Sequence, residues 1–191
     1  MDTTRGSLLG RIREPRNAEA WREFDGIYRP MLYRFARARG LGDADAEDIV
    51  QYCMAAIQKY IGGFEYDPSK GRFKGWLRTM VNNRVRMLLR KRGADLAESK
   101  DFKRPQQREQ SPEETFDELW LQEHLKHALE QLRGEVAESS FRAFNLYVFE
   151  EQPVEQVCEE LNMSTDQVYA IKYRLTKKLS DKMKATVEGL E

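Results

Sequence analysis

Apolar side chains recur at three- and four-residue steps through nearly all of this chain, and no stretch alternates with the two-residue period of a strand. That spacing predicts an all-α protein. Trp21, Phe24, Tyr28, Leu32 and Phe35 mark a first helical stretch over about 17–39. Pro30 lacks an amide donor and is expected to break or kink it. Gly40 and Gly42 end it, and Asp43 is a suitable N-cap for the next helix. That helix turns Ala46, Ile49, Val50, Cys53, Ile57 and Tyr60 inward and stops at Gly62 and Gly63. An aromatic, turn-rich loop runs from Phe64 to Gly71. A long helix over about 72–92 follows, with Phe73, Leu77, Met80, Val81, Leu88 and Leu89 on its apolar face.

The next stretch, 93–111, is polar with almost no apolar periodicity and reads as a flexible tether. Helical order restarts at Ser111-Pro112-Glu113-Glu114, where serine at the N-cap, proline at the first turn and glutamate three residues on form a capping box. That helix runs to Gly134, and another covers about 135–149. Two small helical domains are expected, 15–92 and 112–187, joined by the 93–111 tether.

Charge is segregated although the sum is zero, with 32 basic and 32 acidic residues. No acid occurs between Ser69 and Arg92, and no base between Glu109 and Glu123. A second basic run closes the chain from Lys172 to Lys184. Blocks of this kind suit separate surfaces for separate partners, the alternative being solvated helix faces. The two cysteines, Cys53 and Cys158, lie far apart on apolar helix faces and offer no disulfide or metal spacing. No apolar signal core or membrane-length run is present, so a soluble, cytoplasmic protein without cofactors or metal is expected.

Near the C-terminus, Pro153 opens a short helix bearing Val154, Val157 and Leu161. Asn162-Met163 turns the chain, and Ser164 with Gln167 caps a second helix whose Val168, Ile171, Leu175 and Leu179 face inward. This is a helix-turn-helix pattern, able to lay its second helix in a DNA major groove. Thr165, Asp166, Gln167, Tyr169, Lys172, Tyr173 and Arg174 then face outward. Gln167, Lys172 and Arg174 can donate to bases or phosphates, and Lys177 and Lys178 extend the positive surface. A plain helical hairpin is the structural alternative.

On the 72–92 helix, Arg78, Asn82, Arg86 and Arg90 form a stripe flanked by Thr79 and Asn83. Such a stripe can follow a phosphate backbone and reach base edges. Phe64, Tyr66, Phe73 and Trp76 lie close by in sequence and can supply a stacking platform for unpaired bases, although each aromatic alone suits a core better than a platform. Asp43, Asp45, Glu47 and Asp48 crowd one helix start. Part of this is dipole chemistry. The face carrying Asp45, Asp48 and Gln51 can also dock on a positive protein partner.

In this order the pieces resemble the extracytoplasmic-function branch of the sigma-70 family of RNA polymerase sigma factors, over about 17–92 and 115–183. The resemblance rests on the Asp43–Gln51 segment (DADAEDIVQ), on Gly71–Thr79 (GRFKGWLRT) and on the helix-turn-helix. It implies that Asp43, Asp45, Glu47, Asp48 and Gln51 bind the clamp of the polymerase largest subunit. It implies that Phe64, Tyr66, Arg72, Phe73, Trp76, Arg78, Asn82, Asn83, Arg86 and Arg90 recognise and melt the minus-ten promoter element. Thr165, Gln167, Tyr169, Lys172, Tyr173, Arg174 and Lys177 would read the minus-thirty-five element, in a domain that also contacts the polymerase flap. An anti-sigma factor is a further partner that the family often has. The promoter loop departs from the family pattern at Pro68-Ser69-Lys70-Gly71.

Three other classes fit the sequence less well. A stand-alone helix-turn-helix regulator would leave the acidic helix start without a task. An anti-sigma-like sequestering protein would not need the basic helix. An enzyme would have to use His124 and His127, the only histidines, which no nucleophile or ligand cluster accompanies.

Overall fold

The computed structural model describes residues 8–63, 73–97 and 111–187. These residues are helical and contain no strand, as the apolar period requires. The elements are α1 (Leu8–Ile12), α2 (Ala18–Ala38), α3 (Asp43–Tyr60), α4 (Phe73–Ala97), α5 (Pro112–Glu135), α6 (Glu138–Phe144), α7 (Val154–Leu161) and α8 (Thr165–Val187). A 3-10 turn follows α3 at Ile61–Gly63, and a π-helical turn follows α6 at Asn145–Phe149. The chain divides into two compact units, one holding the described residues up to Glu123, the other His124–Thr186.

In the first unit α2 continues across Pro30 as one element. The expected break is absent because burial on both sides outweighs one lost hydrogen bond. Phe24, Ile27 and Tyr28 precede the proline and Met31, Leu32 and Phe35 follow it, all in the core. Each such side chain contributes about 1.5–3 kcal/mol when fully buried. The helix ends in a Schellman motif. Gly40 adopts φ +83°, its amide donates to the Arg37 carbonyl at 2.9 Å, and the Leu41 amide donates to that of Ala36 at 3.2 Å.

The next helix begins one residue earlier than expected. Gly42 occupies the N-cap and Asp43 is the first helical residue. Inside α3 the buried positions are Ala46, Ile49, Val50, Cys53, Met54 and Ile57, while Tyr60 lies exposed and Ile61 is buried in its place. The aromatic centre of the unit is a stack of Phe24 on Tyr28 at 4.1 Å, met edge-on by Phe73 at 6.0 and 5.7 Å.

Residues 112–123 of α5 pack into this same core. Phe116 lies 5.7 Å from Phe35, and Trp120 lies 5.5 Å from Tyr28. The first compact unit thus reaches beyond 15–92. Its edge falls inside α5, because the apolar face of 116–120 is buried against α2 and α4 rather than on the C-terminal helices. The capping box forms as expected: the Ser111 amide donates to Glu114 Oε2 at 2.9 Å, and the Glu114 amide donates to Ser111 Oγ at 3.1 Å.

In the second unit the core comprises Ala128, Leu132, Ala143, Phe144, Leu146, Val157, Val168, Ile171, Leu175 and Leu179. The single helix expected over 135–149 is instead α6 followed by the π-helical turn. Lys182 of α8 forms an ion pair with Glu135 at the end of α5. Asn162, with φ 51° in the left-handed region, terminates α7. Ser164 and Gln167 close the second capping box, at 2.7 and 3.2 Å.

Candidate nucleic-acid and protein interfaces

The acidic start of α3 divides into two sets. Asp43 accepts from the Tyr33 hydroxyl at 2.7 Å and pairs with Arg37 at 3.0 Å, which holds the start of α3 against the end of α2. The Tyr33 hydroxyl is raised above its ordinary pKa chiefly by donating to that carboxylate. Asp45 pairs with Arg92, tying α3 to the far end of α4. Glu47, Asp48 and Gln51 are exposed. Two of them border grooves between α2 and α3: Glu47 lines one with Arg29, Pro30 and Arg34, and Gln51 lines another with Trp21, Arg29 and Met54.

On α4 the structure shifts the expected stripe. Each four-residue step overshoots one helical turn by about 40°. The ladder from Arg78 through Asn82 and Arg86 to Arg90 therefore crosses from the packed side to the open side. Asn82 is only 7% exposed, beside Val81 and Val85 in the core. Arg78 is half-buried and pairs with Asp117 of α5 at 3.7 Å. The open face carries Thr79, Asn83, Arg86 and Arg90, and Asn83, Arg86 and Arg90 line one shallow hollow with Leu89.

Phe73 is completely buried in the aromatic core, so its ring cannot serve as a stacking platform. Trp76 is partly buried and packs against the core edge, 5.7 Å from Phe73. Phe64, Tyr66 and Arg72 lie outside the described residues.

On α8 the expected outward positions Thr165, Gln167, Tyr169, Lys172, Tyr173, Arg174 and Lys177 are all exposed, Tyr173 at 75%. The Gln167 carbonyl oxygen is taken by the capping box, which directs its amide nitrogen to any external acceptor. Tyr147, in the π-helical turn, organises two of these residues. Its ring lies 5.8 Å from that of Tyr169, and the Lys172 ammonium sits 5.0 Å above it. A hydrogen bond with Tyr147 also raises the Tyr169 hydroxyl above its ordinary pKa.

Sequence reasoning passed over Tyr147, and likewise Arg84, whose guanidinium stacks 4.6 Å over the exposed Tyr52 ring and links α4 to α3. Among the described residues no cluster of histidine, cysteine and carboxylate side chains is placed to hold a metal ion. No described helix is long and apolar enough to cross a membrane.

The first unit is thus a helical module with exposed acids on α3 and an arginine face on α4. Residues 26–94, from within α2 to within α4, match the family model for Sigma-70 region 2. Over this stretch, about a third of the chain, the sequence is similar to sigma-70 region 2. No curated protein matches the chain.

Proposed function

We propose that this protein is a sigma factor of the small extracytoplasmic-function type. It binds core RNA polymerase, directs it to specific promoters and carries out no catalysis itself. One observation carries most weight: the first unit, matched over 26–94 by the Sigma-70 region 2 model, offers Glu47, Asp48 and Gln51 exposed on α3 and Asn83, Arg86 and Arg90 exposed on α4. The first set suits a positive surface on the polymerase clamp, and its exposed carboxylates speed and orient encounter. The second set suits promoter DNA, with the arginines on phosphates and Asn83 within reach of base edges.

In the second unit α7, the Asn162 turn and α8 have the form of a helix-turn-helix. Gln167, Tyr169, Lys172 and Arg174 are exposed on α8, which supports a reading in which they enter a major groove with Lys177 and Lys178 toward the backbone. In this mechanism α8 reads the minus-thirty-five element while α4 and the loop before it capture the opened minus-ten element. Stacking of an unpaired base there offsets part of the unstacking free energy.

The test is co-elution with core polymerase. Wild type and Arg86→Ala are expected to bind core equally, with Arg86→Ala defective in promoter opening. Asp48→Arg is expected to lose core binding while retaining its fold by circular dichroism. Normal core binding by Asp48→Arg would refute the docking surface.

A further inference from the structure

We infer that residues 112–123 are an internal occupant of the aromatic and basic face of α2 and α4, an acidic helix that withholds Lys74 and Arg78 from nucleic acid. The inference rests on the reading of α4 as a nucleic-acid surface. The segment lies beyond the 26–94 stretch that matches Sigma-70 region 2, so it is an addition to that stretch.

Its sequence is built for docking. The Ser111–Glu114 capping box starts the helix locally, and no base occurs from Glu109 to Glu123. The anchors are apolar: Phe116 is fully buried, and Trp120 is 3% exposed. The rim is ionic. Asp117 Oδ1 lies 3.0 Å from the Lys74 ammonium, and Asp117 Oδ2 lies 3.7 Å from the Arg78 guanidinium. Lys74 also sits 5.7 Å over the Trp120 ring.

A carboxylate bridging two cations stands where a phosphate oxygen would stand. A DNA phosphate arriving at Lys74 and Arg78 competes with Asp117 for the same N–H donors and is repelled by its carboxylate. Binding of nucleic acid and docking of the helix are therefore antagonistic, and each weakens the other by the same factor. Arg86 and Arg90 lie further along α4 and stay open. The docked helix thus attenuates nucleic-acid binding rather than abolishing it.

The experiment uses the full chain and a labelled single-stranded oligonucleotide at low salt, read by fluorescence anisotropy. Asp117→Asn is expected to bind about threefold more tightly than wild type, the scale of one exposed ion pair. Glu118→Gln, the same charge change one residue along, is expected to stay near wild type. Hydrogen exchange supplies the second readout: amides of 116–123 are expected to exchange faster when the oligonucleotide is bound. If Arg86→Ala weakens binding but Asp117→Asn does not tighten it, and exchange over 116–123 is unchanged, the occupant role is overturned and the nucleic-acid surface stands. If Arg86→Ala leaves binding unchanged, or no form binds, the nucleic-acid reading of α4 fails and this inference falls with it.

Discussion

Arg34 of α2 donates to Glu123 of α5 at 2.6 Å, across 89 positions of sequence, and its second nitrogen reaches Gln122 at 2.7 Å. The Glu123 side chain is only 4% exposed, whereas Arg34 is about half exposed. The pair closes the end of the 112–123 segment on the first unit. Removing Arg34 leaves a carboxylate in a site that water barely enters. Arg34→Ala is expected to lower stability by about 1–2 kcal/mol, the buried-pair cost discounted for the exposed partner. Urea unfolding followed by circular dichroism measures this, and an unchanged midpoint would contradict it.

Trp120 offers a sharper test of where the first unit ends. It packs on Tyr28 and Phe73, both central to the core. Trp120→Ala is expected to cost about 3–5 kcal/mol, the usual range for a buried large aromatic. A loss below about 1 kcal/mol would mean that 112–123 is not part of the core, as a unit confined to 15–92 would have it.

The two thiols should behave differently. Cys53 is fully buried, and burial pushes its thiol up to about 12. Cys158 is only partly buried. A thiol reagent at pH 8 is expected to modify Cys158 in the native protein and Cys53 only after denaturation. The same shift sets a sign for alkaline pH. Above about 8.5 the unfolded thiol ionises while the folded one keeps its proton, so Cys53 lowers stability as pH rises. Cys53→Ala should flatten that alkaline decline; rapid native labelling at Cys53 would contradict the buried placement.

At the acid end, Lys182 holds the Glu135 carboxyl below its ordinary range by hydrogen bonding and charge. A depressed carboxyl stabilises the fold above its unfolded value and loses that contribution as pH falls through its folded value. Glu135→Gln is expected to lower the thermal midpoint at pH 7. The gap to wild type should close as the pH drops below about 4. A gap that persists at pH 3 would show that the side chain acts by packing alone.

What could be read from sequence follows the range of the interaction. The capping boxes at Ser111–Glu114 and Ser164–Gln167 are three-residue relationships, and both form. The inward set Val168, Ile171, Leu175 and Leu179 follows one helical period, and all four are buried. The seating of Phe116 and Trp120 on Tyr28, Phe35 and Phe73 spans many residues, and no local signal announces it. Pro30 shows tertiary burial overriding a local rule. Asn82 shows a ladder of four-residue steps drifting around the helix into the core. The open arginine face was legible at Arg86 and Arg90, while Tyr147, which braces Lys172 and Tyr169, carries no motif of its own.

The most direct test of the sigma-factor reading is reconstituted transcription. Core polymerase and this protein are combined on fragments of the native genome, and initiated transcripts are sequenced at their 5′ ends. Discrete start sites sharing one upstream sequence pattern are expected, and they should vanish when the protein is omitted and weaken with Arg86→Ala. Absence of protein-dependent initiation on every fragment, with a core preparation that responds normally to another sigma factor, would contradict the central claim.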